Sequence, residues 1–344
     1  MSNDPLIFNA RRRFSLGAAG LFAAPFISAC SNLAATAKPL HVGALFAGQV
    51  NDRGFMEAGW RGLERARTEL GVKTSYIDGV QPKKELLAAA LVKLAESGVD
   101  LVVAHGGQNN EACAEVAARF PTVKFVVTQG AVTGTNLASY DVLQEESAYL
   151  GGVLAALTTR TGVVGHMSGI RVRPGLKGRA AYAAGVRATN PNVKLLTNFS
   201  GNQDDNALSK RVASAQIAAG ADVIFTMLNA GRNGVTEACR EKGTRQIGNV
   251  VDWVQIDSRV FVASAIADVG IGIFEAVRDL RQQAFPAAVI RKVGLANPQA
   301  VRLTMAPDVA ADIRSRIARV TADISSGLIK VPENYDGPEF ATPA

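Results

Sequence analysis

From residue 41 onward, short runs of aliphatic and β-branched residues alternate with longer stretches whose apolar positions recur every three or four residues. The first pattern predicts strands over 41–46, 73–77, 101–104, 124–128 and 137–140, then over 162–166, 193–198, 223–227, 246–249 and 260–264. Most of these runs are apolar on both faces, as parallel strands covered by helices are. The second pattern predicts amphipathic helices. Phe55, Gly59, Leu63, Ala66 and Leu70 make one apolar face, and a second helix opens at Pro82 and carries Leu87, Ala90, Leu91 and Leu94. Further helices are predicted over 110–119, 149–159, 178–189, 208–219, 234–242 and 270–283.

Alternating strands and helices imply parallel sheets with right-handed crossovers. Five strand–helix units before about residue 141 and a similar set after it imply two doubly wound lobes. The expected division is 38–141 plus 259–285 for the first lobe and 142–258 plus 286–335 for the second. The chain would cross near Tyr140–Asp141 and near Asp257–Arg259, and the tail would add a strand pair and a helix over 310–325 to the second lobe.

Residues 1–37 do not fit that alternation. Arg11-Arg12-Arg13-Phe14 fits a twin-arginine export signal, and the apolar run from Gly17 to Ala29 is shorter than the roughly 20 residues a bilayer span needs. Ile27-Ser28-Ala29-Cys30 matches a lipoprotein cleavage box with Cys30 as the lipidated new N-terminus. Ordinary cleavage after Ala35-Thr36-Ala37 is the alternative, leaving a soluble periplasmic protein. Loss of the leader, with its three Arg and one Asp, lowers the net charge from +7 to +5 over the remaining chain. No basic run follows, which argues against a nucleic-acid partner. Cys113 and Cys239 sit inside predicted helices far apart in sequence, where they read as small buried hydrophobes rather than a disulfide.

In open α/β sheets, ligands bind beyond the carboxyl ends of the strands. The residues there include Asp52 and Phe55, Gln108, Gln129, Asn229, and Asp252 with Trp253. Amides, glycines, a few carboxylates and aromatics suit a neutral, flat, polar ligand better than an anion. Asp52 also reads as a helix N-cap, and Trp253 is compatible with packing. The three histidines, His41, His105 and His166, have no neighbours at metal-ligand spacing, and no nucleophile elbow, P-loop or dinucleotide fingerprint is present. No metal, cofactor or catalytic group is expected; the inventory points to binding.

Asn51-Asp52-Arg53-Gly54-Phe55, followed by Trp60, Gly62 and Leu63, resembles the opening motif of the basic membrane protein family, substrate-binding lipoproteins of ABC importers that typically take purine nucleosides. The resemblance continues through Glu145-Glu146 with Gly151-Gly152, Lys177 to Gly185, Asn190-Pro191, Gly220 to Phe225, Gly231 to Gly234, and Gly327 to Pro332. It implies a type I periplasmic-binding-protein fold, with a ligand caught between two lobes and delivered to a membrane permease. Phe55 would stack on the base, with Phe225 as the opposing aromatic, and Asp52, Asn229 and Asp252 would surround the polar edge beside Trp253. Three positions depart from the family pattern. Met56 replaces an Asn, Thr128-Gln129-Gly130 replaces a segment whose Asp would hold ribose hydroxyls, and Ala267 replaces a Lys. These departures favour a free nucleobase or related heterocycle over an intact nucleoside. A sensory receptor for a membrane kinase, or the same transport role for another small solute, remains open on sequence grounds. An intracellular repressor would need a DNA-reading helix pair ahead of residue 41, where the export leader stands instead.

Overall fold

A computed structural model of the chain describes residues 38–341; the expected leader, with Cys30, lies outside them. The first half runs β1 (His41–Phe46), α1 (Phe55–Leu70), β2 (Lys73–Ile77), α2 (Lys84–Glu96), β3 (Leu101–His105), α3 (Asn110–Arg119), β4 (Lys124–Thr128) and β5 (Leu137–Val142). The second half runs α4 (Gln144–Thr158), β6 (Val163–Ser168), α5 (Arg173–Thr189), β7 (Lys194–Phe199), α6 (Asn206–Ala218), β8 (Val223–Met227), α7 (Arg232–Lys242), β9 (Arg245–Val250), α8 (Val254–Asp257) and β10 (Phe261–Ala267). Then follow α9 (Gly270–Arg281), β11 (Ile290–Val293), β12 (Val301–Met305) and α10 (Ala311–Ser325).

The strands form two six-stranded sheets, ordered β11-β5-β4-β3-β1-β2 and β12-β10-β9-β8-β6-β7. Every pairing is parallel except β10 with β12, which is antiparallel at an edge. The central strands are buried along their whole length, which is why their sequences lack polar alternation. Each sheet carries an apolar cluster on both faces. Helices α4 and α5 approach unusually closely. A Cβ on Gly152 would lie 2.2 Å from the Tyr182 carbonyl oxygen, and one on Gly185 would lie 2.2 Å from that of Tyr149, so both positions must be glycine. Cys113 and Cys239 are free, buried, and in separate clusters.

The chain first passes between the sheets after β5 ends at Val142, whereas the expected Tyr140–Asp141 lies within that strand. The second passage differs more. β10 pairs with β9 and belongs to the second sheet, so the chain returns to the first lobe at Asp268–Val269 rather than near residue 259. There α9 packs Ile273, Phe274, Ala276 and Val277 into the first-sheet core. The expected tail strand pair is also divided. β11 pairs with β5 in the first sheet and β12 with β10 in the second, which makes a third crossing over residues 294–300. An all-apolar strand such as Phe261–Ala267 reads alike for either sheet, and only pairing assigns it. Helix α2 begins at Lys84, two residues after Pro82.

Buried charge holds the first crossing. The Lys177 ammonium on α5 lies 3.1 Å from Asp141 Oδ2 on β5 and also contacts Glu145 in the first turn of α4. Arg173 adds a 2.8 Å contact to the same Asp141 oxygen, and Glu333 of the C-terminal tail flanks both cations. The side chains of Lys177, Asp141 and Glu145 are no more than 6% exposed. Burial, followed by the neighbouring Asp141, raises the Glu145 carboxyl above its usual range against the pull of Lys177. Beside it, Glu146 Oε2 accepts the Leu295 N–H at 2.6 Å, fixing the third crossing to the start of α4. Breaking a buried ion pair by removing one partner costs about 3–5 kcal/mol. Lys177→Met is therefore expected to lower unfolding free energy by about that much in urea denaturation, whereas a surface pair such as Arg65–Glu69 is expected to give less than about 1 kcal/mol on the same measurement.

Candidate functional site

A cavity of about 260 Å³ lies where the carboxyl ends of the strands in the two sheets face one another. The first lobe contributes Phe55 at the start of α1 and Gln108 in the turn after β3, and Gln144, the first residue of α4, lines the cavity at the passage between the lobes. The second lobe contributes Asn202, Gln203 and Asp204 from the β7–α6 loop, Met227 and Asn229 at the end of β8, and Asn249 at the end of β9. Apolar atoms of Ile170, Val172 and Pro174 complete that wall. Among the described residues, six side-chain amides and one carboxylate line the cavity, and no lysine, arginine or histidine does. Two of the amides, Gln203 through Oε1 and Asn249 through Oδ1, carry buried oxygens with no hydrogen-bond partner. Leaving such groups unmatched costs about 1–3 kcal/mol each, but both oxygens are closed off from solvent, Gln203 Oε1 against Gly169, so the wall's suitability for a neutral solute rests on its amide composition.

Phe55 is the cavity's one aromatic ring among the described residues. It stacks on His105 at a centroid distance of 4.3 Å and an interplanar angle of 28°. His105 is wholly buried at the end of β3, and burial pushes its imidazole down to about 4. His166, wholly buried within β6, is pushed down to about 3 by burial, with Arg179 adding to the effect. Both rings are neutral near pH 7.

The residues expected at the strand ends divide into three groups. Phe55, Gln108 and Asn229 line the cavity. Asp52 and Gln129 stand one layer behind it. The Asp52 carboxylate accepts the N–H groups of Gly54, Met56 and Glu57 at 2.8–3.0 Å, and so caps α1. Gln129, at φ 56°, accepts from Gln144 Nε2 at 3.2 Å, so Gln144 presents that pair to the cavity. Phe225 and Trp253 are corrections. Phe225 is 1% exposed and stacks on Tyr182 at 5.0 Å inside the second-lobe core, on the helix side of its strand rather than at its end. Trp253 is buried, donates Nε1–H to the Asn249 carbonyl, and lies under the Arg232 guanidinium at 3.4 Å. Burial pushes that arginine down to about 10, with Asp52 opposing the shift. Asp252 bonds Thr304 at 2.8 Å and lines a different cavity.

That second cavity is larger, about 620 Å³, and runs along the outer face of α1 to the β9–α8 turn and the second crossing. A small apolar contact of Ala58, Val250 and Val269 stands beside it at the lobe boundary. Its charged rim is largely satisfied internally: Arg61 pairs with Glu57, Arg65 with Glu69, and Arg302 with the Pro298 and Gln299 carbonyls. The smaller cavity is the better candidate, because the strand ends of both sheets meet there around a wall of amides and one aromatic ring. Reading the sequence missed Gln144, Gln203, Asn249 and Met227 as lining residues, and His105 and Gly59 behind Phe55. Pro82 also lines the cavity, freed by the later start of α2. An Asn or Gln in a polar loop carries no distinguishing sequence signal. His105 did, being a histidine at the end of an otherwise apolar strand.

Among the described residues no group of three His, Cys, Asp or Glu could hold a metal ion, and no helix is long and apolar enough to cross a membrane. With the fold and the interlobe site in view, the class is that of a two-lobed solute-binding protein. The family described as ABC transporter substrate-binding protein PnrA-like matches residues 40–335, and the chain belongs to it, a non-enzymatic family that works outside the cytoplasm with ABC permeases. The chain is similar to the ABC transporter nucleoside-binding protein BmpA of Lactococcus lactis, at 25% identity over 305 residues, covering 82% of this chain and 86% of that one. It is similar to the transcriptional activator protein med of Bacillus subtilis, at 24% identity over 243 residues, covering 71% and 75%. Among solved structures it is similar to an ABC transporter solute-binding protein of Aeropyrum pernix, with a TM-score of 0.77 at 22% identity, covering 86% of this chain and 95% of that one. That structural likeness establishes the type I periplasmic-binding-protein fold.

The histidines give the site a pH signature. Unfolded histidines titrate near 6.5, whereas the buried His105 stays neutral to about 4 and His166 to about 3. Between those limits the unfolded chain holds more protons, so stability is full above about pH 6.5 and falls as pH drops toward 4. Each histidine contributes about 2 kcal/mol of loss between pH 7 and 5. The raised carboxyls of Asp52 and Glu145 act in the opposite direction. Subtraction of a His166→Gln variant isolates the histidine part: its urea-derived stability is expected to fall by about 2 kcal/mol less over that range.

Proposed function

We propose that this protein is the solute receptor of an ABC importer and that its cleft takes a purine-type nucleobase, or a closely related flat and uncharged heterocycle. The observation that carries the reading is the wall itself: among the described residues it sets one aromatic ring beside six side-chain amides and no cation. An uncharged heterocycle presents a π-face to Phe55 and its donor and acceptor edge to the amides of the wall, and stacking of this kind contributes about 1–3 kcal/mol per base. A phosphate or carboxylate ligand would meet no positive group. The cavity, about 260 Å³, lies below the roughly 300–1,000 Å³ of ordinary ligand pockets. That favours a base over a base with its sugar, in line with Gln129 and Ala267 at positions where the resembling family has an Asp and a Lys. The nucleoside-binding name of the Lactococcus lactis relative supports a base-bearing solute.

Calorimetric titration against bases, nucleosides, sugars and amino acids tests this reading. Hypoxanthine or guanine is expected to bind more tightly than the corresponding nucleoside. Phe55→Ala is expected to weaken that binding roughly tenfold to a hundredfold. Tighter binding of guanosine than of guanine overturns the base preference, and binding of a sugar alone overturns the heterocycle.

We further infer that the protein is exported through its twin-arginine leader and anchored to the membrane by lipid on Cys30. The motif Ile27-Ser28-Ala29-Cys30 after an apolar run supports this. Cys30→Ser is expected to move the mature protein from the membrane fraction to the soluble periplasmic fraction on cell fractionation, while an unchanged distribution overturns the anchor.

A further inference from the structure

Among the described residues Phe55 is the only aromatic ring on the cavity wall, and the second lobe offers Met227 and Pro174. Discrimination for planar solutes therefore depends on how firmly that one ring is held. The group that holds it touches no solute. His105 Nε2 lies 3.0 Å from the Phe55 carbonyl oxygen, and Nδ1 lies 2.7 Å from Thr128 Oγ1 on β4. A carbonyl only accepts, so Nε2 carries the proton; Nδ1 then accepts the Thr128 hydroxyl, which itself receives the Gly106 N–H at 3.3 Å. Every bond in this chain has one direction, and together they fix both the tautomer and the plane of the imidazole. The Phe55 ring lies on that plane, leaving its opposite face and edge for the cavity. Helix α1 leaves room for the arrangement at one residue. A Cβ on Gly59 would sit 2.4 Å from His105 Nε2 and 2.6–2.7 Å from the adjoining ring carbons.

We propose that His105 is a positioning residue for solute selectivity: with Thr128 and Gly59 it locks Phe55 into a one-sided stacking shelf that selects planar rings. The proposal rests on the reading of the cleft as a heterocycle site and goes beyond it, because it assigns selectivity to a buried residue outside the cavity. Removing His105 leaves Phe55 in place but lets its ring turn, so planar solutes lose their advantage while the amide contacts persist.

The first test needs no solute. The full chain is labelled with para-fluorophenylalanine, and the Phe55 fluorine resonance is assigned by its loss in Phe55→Leu. A single sharp resonance is expected in the native protein. It is expected to shift or broaden in His105→Ala and in Gly59→Ala, and to be restored in His105→Gln, whose amide can donate to the Phe55 carbonyl and accept from Thr128. Gly59→Ala displaces the imidazole while leaving the histidine present, so it tests the shelf even where His105→Ala fails to fold. The second test is titration with hypoxanthine. His105→Ala is expected to weaken binding about tenfold, and to add no loss in the Phe55→Leu background. An unchanged Phe55 resonance in both His105→Ala and Gly59→Ala overturns the proposal, as does an equal further loss of affinity without Phe55. Should hypoxanthine fail to bind the native protein while the resonance responds as expected, the solute reading falls and the positioning role stands.

Discussion

One ammonium group, closed off from water, ties the two halves of this molecule at the point where the chain first passes between them. Lys177 belongs to the second lobe, Asp141 to the last long strand of the first, and Glu145 to the helix that follows the passage. Taking such charges out of water is expensive, and their attraction offsets that cost only when the partners are held at contact distance. The close approach of α4 and α5, through Gly152 and Gly185, supplies that hold. With the first passage fixed, Glu146 can fix the third through the Leu295 N–H, and the strand ends of both sheets are left facing one another across a narrow gap.

The chemistry of the gap is the reverse of the chemistry of the passage. The passage concentrates charge in pairs; the gap is lined by amides and one carboxylate, with the nearby Arg232 turned into the protein beneath Asn229 and over Trp253. Amides donate and accept without the solvation cost of ions, so a neutral solute can replace water there with little electrostatic penalty. Lobe closure in proteins of this architecture is a shift between open and closed populations, driven by the contacts that a solute makes only when both walls reach it. Gln108 on one wall and Asn202, Gln203, Asn229 and Asn249 on the other, with Gln144 at the passage between them, give each lobe a share of those contacts.

Much of the architecture could be read along the chain. Apart from β10, which ends three residues past its expected bound, the expected strands begin and end within a residue or two of those observed, and most helices follow the three-or-four periodicity, because both patterns are imposed by burial against neighbours. What could not be read was membership. Phe261–Ala267 is apolar throughout, a sequence equally at home in either sheet, and the short edge strands β11 and β12 carry too little burial to mark which sheet they join. The site was legible in its loops but not in its depth. Phe55, Gln108 and Asn229 lie where strand ends placed them, whereas Phe225 and Trp253 share the same neighbourhoods in sequence and are turned inward by packing against Tyr182 and Arg232. An aromatic residue near a strand end signals a ring in the vicinity; which side of the backbone it occupies is decided by neighbours distant in sequence.

The three passages between lobes also bear on biosynthesis. Neither sheet is encoded by a contiguous stretch: the first lacks an edge until β11 exists, and the second until β12 does. A nascent chain emerging from the ribosome therefore carries two incomplete sheets with open edges until nearly all of it has been synthesised, the circumstance in which strands pair wrongly with other molecules. Maturation of either lobe waits on the same late segment, so the pair is completed together rather than one lobe after the other.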